Sequence, residues 1–354
     1  MNRVIGCVAA LFLPAAGFGA TFPEHRVYDV ADELPGSSLL GMALDAEGRA
    51  FFVAWEPGPR VLPADTERMA SSLAVDPGRR RLAVYDPEAD AFHAVSDSFP
   101  FFSDFLFDPD GTLWILTPKA VTKRRGETGR VVLDLQADRG LLQAMALDAE
   151  GALWVGGLKS GLYRIGPDEA VTPFASPEPL PSDDVTAIHA PDPGTLWIAL
   201  WYDVGVACLR DGTWTFHDPR STGAPLQAVW CFETDGDGVL WVGAGNREFP
   251  GPLARFDGAT WSAVDPPDED GSPIEGAAVR KLAWDGERLW AVISVGREGQ
   301  GRIRTFDGHR WSRVSDVPDE ATVQHLEVDR IHDTVWIGTV EGAGRTSRLH
   351  RIGL

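Results

Sequence analysis

The chain has 354 residues, 44% hydrophobic and 24% charged, with a formal net charge of −20. That apolar share supports a sizeable core, in one large domain or two average ones. The acidity excludes nucleic acid as a partner, where affinity rests on Lys and Arg neutralising phosphates, and it excludes adsorption on anionic lipid for the same reason.

The first residues stand apart. Met1-Asn2-Arg3 gives a short positive start, Val4 to Phe18 is almost wholly apolar, and small residues follow at Gly19 and Ala20. This is the layout of a secretory signal peptide, residues 1–20, too short to span a bilayer. Val4-Ile5-Gly6-Cys7 resembles a lipoprotein box, but the apolar run lies mostly after Cys7 rather than before it. No second apolar run of about 18 residues follows, so the expectation is a periplasmic or secreted protein with no membrane insertion after signal cleavage. The mature chain keeps Cys208 and Cys231, whose pairing the sequence leaves open.

Residues 21–354 read as one domain of repeats. Glu24 to Val30 (EHRVYDV) is a lone strand, and DAEGRAF then brings a turn ending at Phe51. An insertion, residues 56–80, separates this from RLAVYDPEADAFHAV, read as third and fourth strands of the same unit. Acidic, glycine-bearing turns next lead to Trp114, Trp154, Trp197, Trp241, Trp290 and Trp336, at intervals of 40, 43, 44, 49 and 46 residues. A period of that size signals a repeat architecture. Within each unit, short runs alternating apolar and polar residues are joined by Asp-Gly turns, the pattern of antiparallel hairpins, and no helical period is sustained.

Four strands per unit predict an all-β, seven-bladed β-propeller of four-stranded antiparallel blades; reading the insertion otherwise would give six or eight. The last unit ends at RTSRLHRIGL with no fourth strand, and Glu24 to Val30 supplies it, closing the last blade with the N-terminal strand. Closure removes two open sheet edges. The tryptophans then fill the wedge between blades as core.

ALDAEGALWVGGLKSGLYRI resembles the two-component regulator propeller repeat, and PLPSDDVTAI is similar to the lead-in of that repeat. The resemblance covers nearly all of the mature chain and implies an extracytoplasmic sensing module, often fused to a membrane-bound histidine kinase. This chain shows no such fusion. A weaker resemblance to streptogramin-lyase-like and gluconolactonase-like propellers implies a metal-dependent enzyme instead.

In a propeller the first strand of each blade lines a central channel. Aligned on their turns, these strands give two inward columns. One runs Gly41, Asp104, Ala144, Ala187, Cys231, Lys281, His325; the other runs Ala43, Leu106, Ala146, His189, Glu233, Ala283, Glu327. Two uses follow. Ion pairs such as Lys281 with Asp104 or Glu233 would settle the charges in water, or His189, Glu233, His325 and Glu327 would hold one divalent metal (calcium, magnesium or zinc). No cofactor is expected on the first reading.

Loops at the channel mouth supply Lys159, Asp184, Trp201, Tyr202, Trp230, Asn246, Arg247, Arg280 and Arg297, together with Trp55, Lys119, Gln143 and Glu341. Aromatic rings beside cations suit a small-molecule ligand or a protein partner. His25, His93, His217, His309 and His350 are expected at the surface. No G-x-S-x-G, H-E-x-x-H, P-loop or paired C-x-x-C motif occurs. A non-catalytic ligand-binding propeller is preferred over a metal-dependent lactonase or lyase and over a protein-interaction scaffold.

Overall fold

In blades 2, 3, 5 and 6 the turn aspartate locks the repeat. Asp148 Oδ1 accepts from the backbone N–H of Glu150 and Ala152 at 3.1 and 2.7 Å, and its Oδ2 accepts from the indole N–H of Trp154 at 2.8 Å. One carboxylate thus closes the turn and holds the ring that follows it. The same clasp joins Asp108 to Trp114 at 3.1 Å, Asp235 to Trp241 at 2.8 Å and Asp285 to Trp290 at 2.7 Å. Where Phe51 replaces the indole, Arg49 Nε takes the Asp45 carboxylate at 2.6 Å.

The structure is a computed structural model describing residues 24–34, 36–56, 79–126, 128–135, 140–174, 180–246, 253–268, 271–274, 276–295, 300–342 and 346–354. The expected signal peptide, the interior of the 56–80 insertion, Arg247 and Arg297 lie outside them.

The described strands form seven four-stranded antiparallel sheets. Blade 1 runs outward through Ser38–Leu44, Ala50–Glu56, Arg79–Asp86 and Ala91–Ser96. Blades 2 to 6 begin at Asp104–Phe107, Leu141–Leu147, Val185–His189, Cys231–Thr234 and Ala278–Trp284. Blade 7 comprises Thr322–Asp329, Thr334–Glu341 and Thr346–Gly353, with His25–Asp29 as its outer strand. That pairing runs from His25 opposite Ile352 to Asp29 opposite Arg348, so the ring closes as expected. Among the described residues, helix is confined to two four-residue turns, Val30–Glu33 and Pro219–Thr222.

The six repeat tryptophans are all buried, as a core role requires. Glycines two residues beyond some of them have a second purpose. A Cβ on Gly156, Gly243 or Gly338 would stand 2.8 Å from Val185, 2.9 Å from Val279 or 2.5 Å from Leu39. Each of these neighbours is on the first strand of the next blade, so the missing side chain sets how closely blades pack. Tyr28 ties the closing strand to blade 1, its hydroxyl donating to Asp90 Oδ1 at 2.7 Å and its ring packing on Phe92 and Trp336.

Two expectations need correction. His350 is buried, with Nε2 at 2.7 Å from Glu341 Oε1, because it lies on the third strand of blade 7, between Thr334–Glu341 and the closing strand, with His25 stacked on its ring. His217 is half-buried, with its ring beside Trp197, Phe256 and Trp261. Cys208 and Cys231 are free thiols on neighbouring blades.

Asp235→Ala removes the acceptor of one indole and of the turn amides. It should cost about 2 kcal/mol or more in urea unfolding, whereas exposed Asp237→Ala in the same turn should change stability by less than about 0.5 kcal/mol.

Candidate functional site

A repeated irregularity shapes the channel wall. The register of the first strand slips by one residue at Leu40, Gln143, Thr186, Arg280 and Gln324. A bulge sets two residues against one, so neighbours that would point to opposite faces can address the same space. In blade 6 this puts Arg280 and Lys281 together on the wall of one cavity.

That cavity measures about 470 Å³ and lies in the channel along blades 5 to 7, with Asp104 of blade 2 across it. Its size suits a small ligand. At the mouth, the Arg280 guanidinium carbon sits 3.7 Å from the centroid of the Trp230 ring, and the Trp230 indole donates to Gly245 O at 2.9 Å. Cys231, Glu233, Lys281 and Glu327 line the middle, and Trp284 and Arg330 the far end. The alternation of strand residues therefore does bring Asp104, Cys231, Glu233, Lys281 and Glu327 of the two predicted columns to one space.

The expected ion pairs do not form. Glu233 is held by backbone amides, its Oε1 accepting from Thr234 N at 2.8 Å and its Oε2 from Trp284 N at 3.2 Å. Asp104 Oδ1 accepts only from the adjacent Phe105 N–H, at 2.9 Å. Among the described residues, none hydrogen-bonds or ion-pairs with Lys281 or Glu327, so both face the cavity unused. The Lys281 charge still acts at longer range, on both Asp104 and Glu327.

Burial dominates the protonation of this wall. It pushes Asp104 up to about 6 and Glu327 up to about 7, against the pull of Lys281, with Asp104 and Glu233 adding to the rise at Glu327. Burial likewise raises Glu233 and lifts the Cys231 thiol to about 12, which makes it a poor nucleophile. It drives His189 down to about 4 and His325 to about 3, so both imidazoles are neutral near pH 7.

The four residues considered for a metal do not share a site. His189 Nε2 lies 3.0 Å from Thr234 Oγ1, between blades 4 and 5, and its ring stacks on Phe232. His325 packs toward Gly338, while Glu233 is engaged by amides. Among the described residues, no group of three or more His, Cys, Asp or Glu side chains is placed to hold a metal ion. Among the described residues, the four donors are therefore not gathered where one ion could bind them all.

The mouth residues join into an arc. Lys159 N–H donates to Asp184 Oδ1 at 2.5 Å, Trp201 N–H donates to Asp184 O at 3.0 Å, and Ala228 N–H donates to Tyr202 O. Lys159 and Tyr202 occupy equivalent turns and both have positive φ, 54° and 55°. Trp201 and Tyr202 stack at 6.1 Å and remain exposed, as does Trp230. Asn246 follows the same loop that receives the Trp230 bond. Glu341, expected at the mouth, is instead buried with Thr339, Arg348 and His350. The sequence pattern assigned Arg280 to the mouth and Lys281 to the channel; the structure places both on the wall of one cavity, with the register slip at Arg280.

Comparison with known proteins places the fold. No family model and no curated protein matches the chain. Among solved structures, a catalytically inactive variant of virginiamycin B lyase from Staphylococcus aureus, with quinupristin, is similar at TM-score 0.64 and 10% identity, over 94% of this chain and 99% of that one. The extracellular domain of the putative hybrid two component system BT4673 from B. thetaiotaomicron gives 0.61 and 12%, over 94% of this chain. The protein spans only 43% of that domain. YCF48 bound to D1 peptide gives 0.61 and 13%, over 95% and 99%. The chain is thus a seven-bladed propeller whose structural neighbours include the extracellular domain of a putative hybrid two component system, a lyase and a peptide-bound protein. Among the described residues, no helix is long and apolar enough to cross a membrane.

The raised Glu327 carboxyl yields a signed prediction. Its proton is held more tightly folded than unfolded, so folding is penalised as pH rises from the usual carboxylate range through about 7. Glu327→Gln should therefore stabilise the protein at about pH 8, by about 1 kcal/mol or more, with the gain shrinking toward about pH 5. The depressed histidines act oppositely below their ordinary range, so the wild-type and variant denaturation curves must be compared at each pH. An equal effect at both pH values would contradict the assignment.

Proposed function

We propose that the protein is an exported, non-catalytic propeller that binds a small ligand at the mouth and upper channel of blades 5 to 7, as an extracytoplasmic sensing module. The observation that carries this reading is the cavity beneath the Arg280–Trp230 stack, lined by Lys281 and Glu327 that the described protein leaves without hydrogen-bond partners. Charges at that depth need water or a ligand to offset their lost hydration. Likeness of fold to the BT4673 extracellular domain supports the sensing role, and the apolar N-terminal run supports export.

A protein partner, such as a membrane sensor kinase, has its own supporting observation. Leu40, Phe101, Leu141, Trp201, Tyr202 and Trp230 are exposed and all belong to bulges, lead-in segments or loops at the mouth. A partner seated there would read whether the channel below is filled. The catalytic alternative keeps one point in its favour, since a carboxyl near 7 suits proton transfer. Turnover of a lactone or lyase substrate without added metal, lost in Glu327→Gln, would favour it.

The test of binding is thermal unfolding with a panel of organic acids, amino acids, sugars and nucleosides. A compound that raises Tm for the wild type should lose most of that effect in Arg280→Ala and in Lys281→Met, because stabilisation by a ligand follows its affinity for the folded state. A panel with no effect, or one whose effects survive both substitutions, would contradict the site.

A further inference from the structure

The cavity presents charge of both signs that the protein does not spend on itself. The Arg280 guanidinium carbon sits over the Trp230 ring at 3.7 Å, a cation–π contact that uses none of its N–H donors. Lys281 is beside it because of the bulge and, among the described residues, has no hydrogen-bond or ion-pair partner. Facing them are Asp104, with one oxygen on its neighbour's amide, and Glu327, with no such partner among the described residues. Glu233 and Arg330 differ: the first is bound to two amides, and Arg330 Nε donates to Trp284 O at 2.9 Å.

A simple anion would engage the two cations and leave exposed Asp104 and half-buried Glu327 with no ligand partner beyond the distant Lys281 charge; a simple cation would do the reverse. Each leaves one sign of charge on the cavity wall unmatched. Only a ligand carrying both charges close together answers all four. Resting on the ligand-binding reading above, we infer that the cavity takes a small zwitterion of the α-amino-acid type, its carboxylate on Arg280 and Lys281 and its ammonium on Asp104 and Glu327. Arg280 offers the planar fork that suits a carboxylate, and Lys281 adds a point charge. The volume of about 470 Å³ exceeds what the zwitterionic end needs and leaves room for a side chain.

The experiment is calorimetric titration of the full chain with each of the standard α-amino acids at up to about 10 mM, a range that detects millimolar dissociation constants. The best binder is then compared with its two analogues, the same molecule lacking the amino group and the same molecule lacking the carboxylate. The amino acid should bind at least about tenfold more tightly than either analogue, the size expected for one lost charged hydrogen bond. Lys281→Met should erase the advantage over the amine, and Glu327→Gln should narrow the advantage over the deaminated acid. Equal binding of the deaminated acid, or no binding by any amino acid, would overturn the inference. If no amino acid binds while another compound of the broader panel depends on Lys281, the ligand-binding reading stands and only the zwitterion fails.

Discussion

A turn aspartate that holds the tryptophan of its own repeat, present in blades 2, 3, 5 and 6, is the constraint on which the packing of those blades depends. One carboxylate accepts from turn amides with one oxygen and from an indole with the other, as Asp148 and Asp235 do. Hydrogen bonds to an ionised acceptor are among the stronger ones available to a folded chain. The ring so fixed lies in the wedge between blades, and glycines such as Gly156 and Gly338 let the next blade come close. Because the clasp uses only the turn and the second strand, it places no demand on the inward side chains of the first strand.

That freedom is where the blades diverge. At the axis, blades 1 and 3 present Gly41, Ala43, Ala144 and Ala146, whereas blades 5 to 7 present Cys231, Glu233, Lys281, His325 and Glu327. The channel is therefore lopsided, and its polar cavity runs along one side with Asp104 as the far wall. A bulge present in five blades becomes chemically meaningful in blade 6 alone, where the paired side chains are Arg280 and Lys281. Mouth and channel are also joined mechanically, since Trp230, which carries Arg280, is anchored to Gly245 in the loop of its own blade.

Much of the fold was legible because repeats expose it. The turn-to-tryptophan spacing, the missing last strand and the spare N-terminal strand predicted seven blades and their closure, and the sheets have that order. The inward columns were legible too, because strand alternation is a local property. Contacts between blades were not. The sequence suggested Lys281 ion pairs, but Glu233 turns to the amides of Thr234 and Trp284, a choice set by how blades 5 and 6 abut. His350 was expected at the surface although the closing strand was placed beside it, because its contacts with Glu341 and Thr339 across the blade depend on how the strands meet. The bulge at Arg280 leaves no mark in composition, since any residue type can occupy it.

The central claim, that function resides in the lopsided channel of blades 5 to 7, is tested most directly by hydrogen–deuterium exchange with and without the pooled panel of organic acids, amino acids, sugars and nucleosides. The account predicts slowed exchange in the segments around Trp230–Glu233, Arg280–Trp284 and Leu326–Arg330, with blade 3 unchanged. Slowed exchange confined to the Trp201–Tyr202 loop, or no change at the three channel segments, would contradict it.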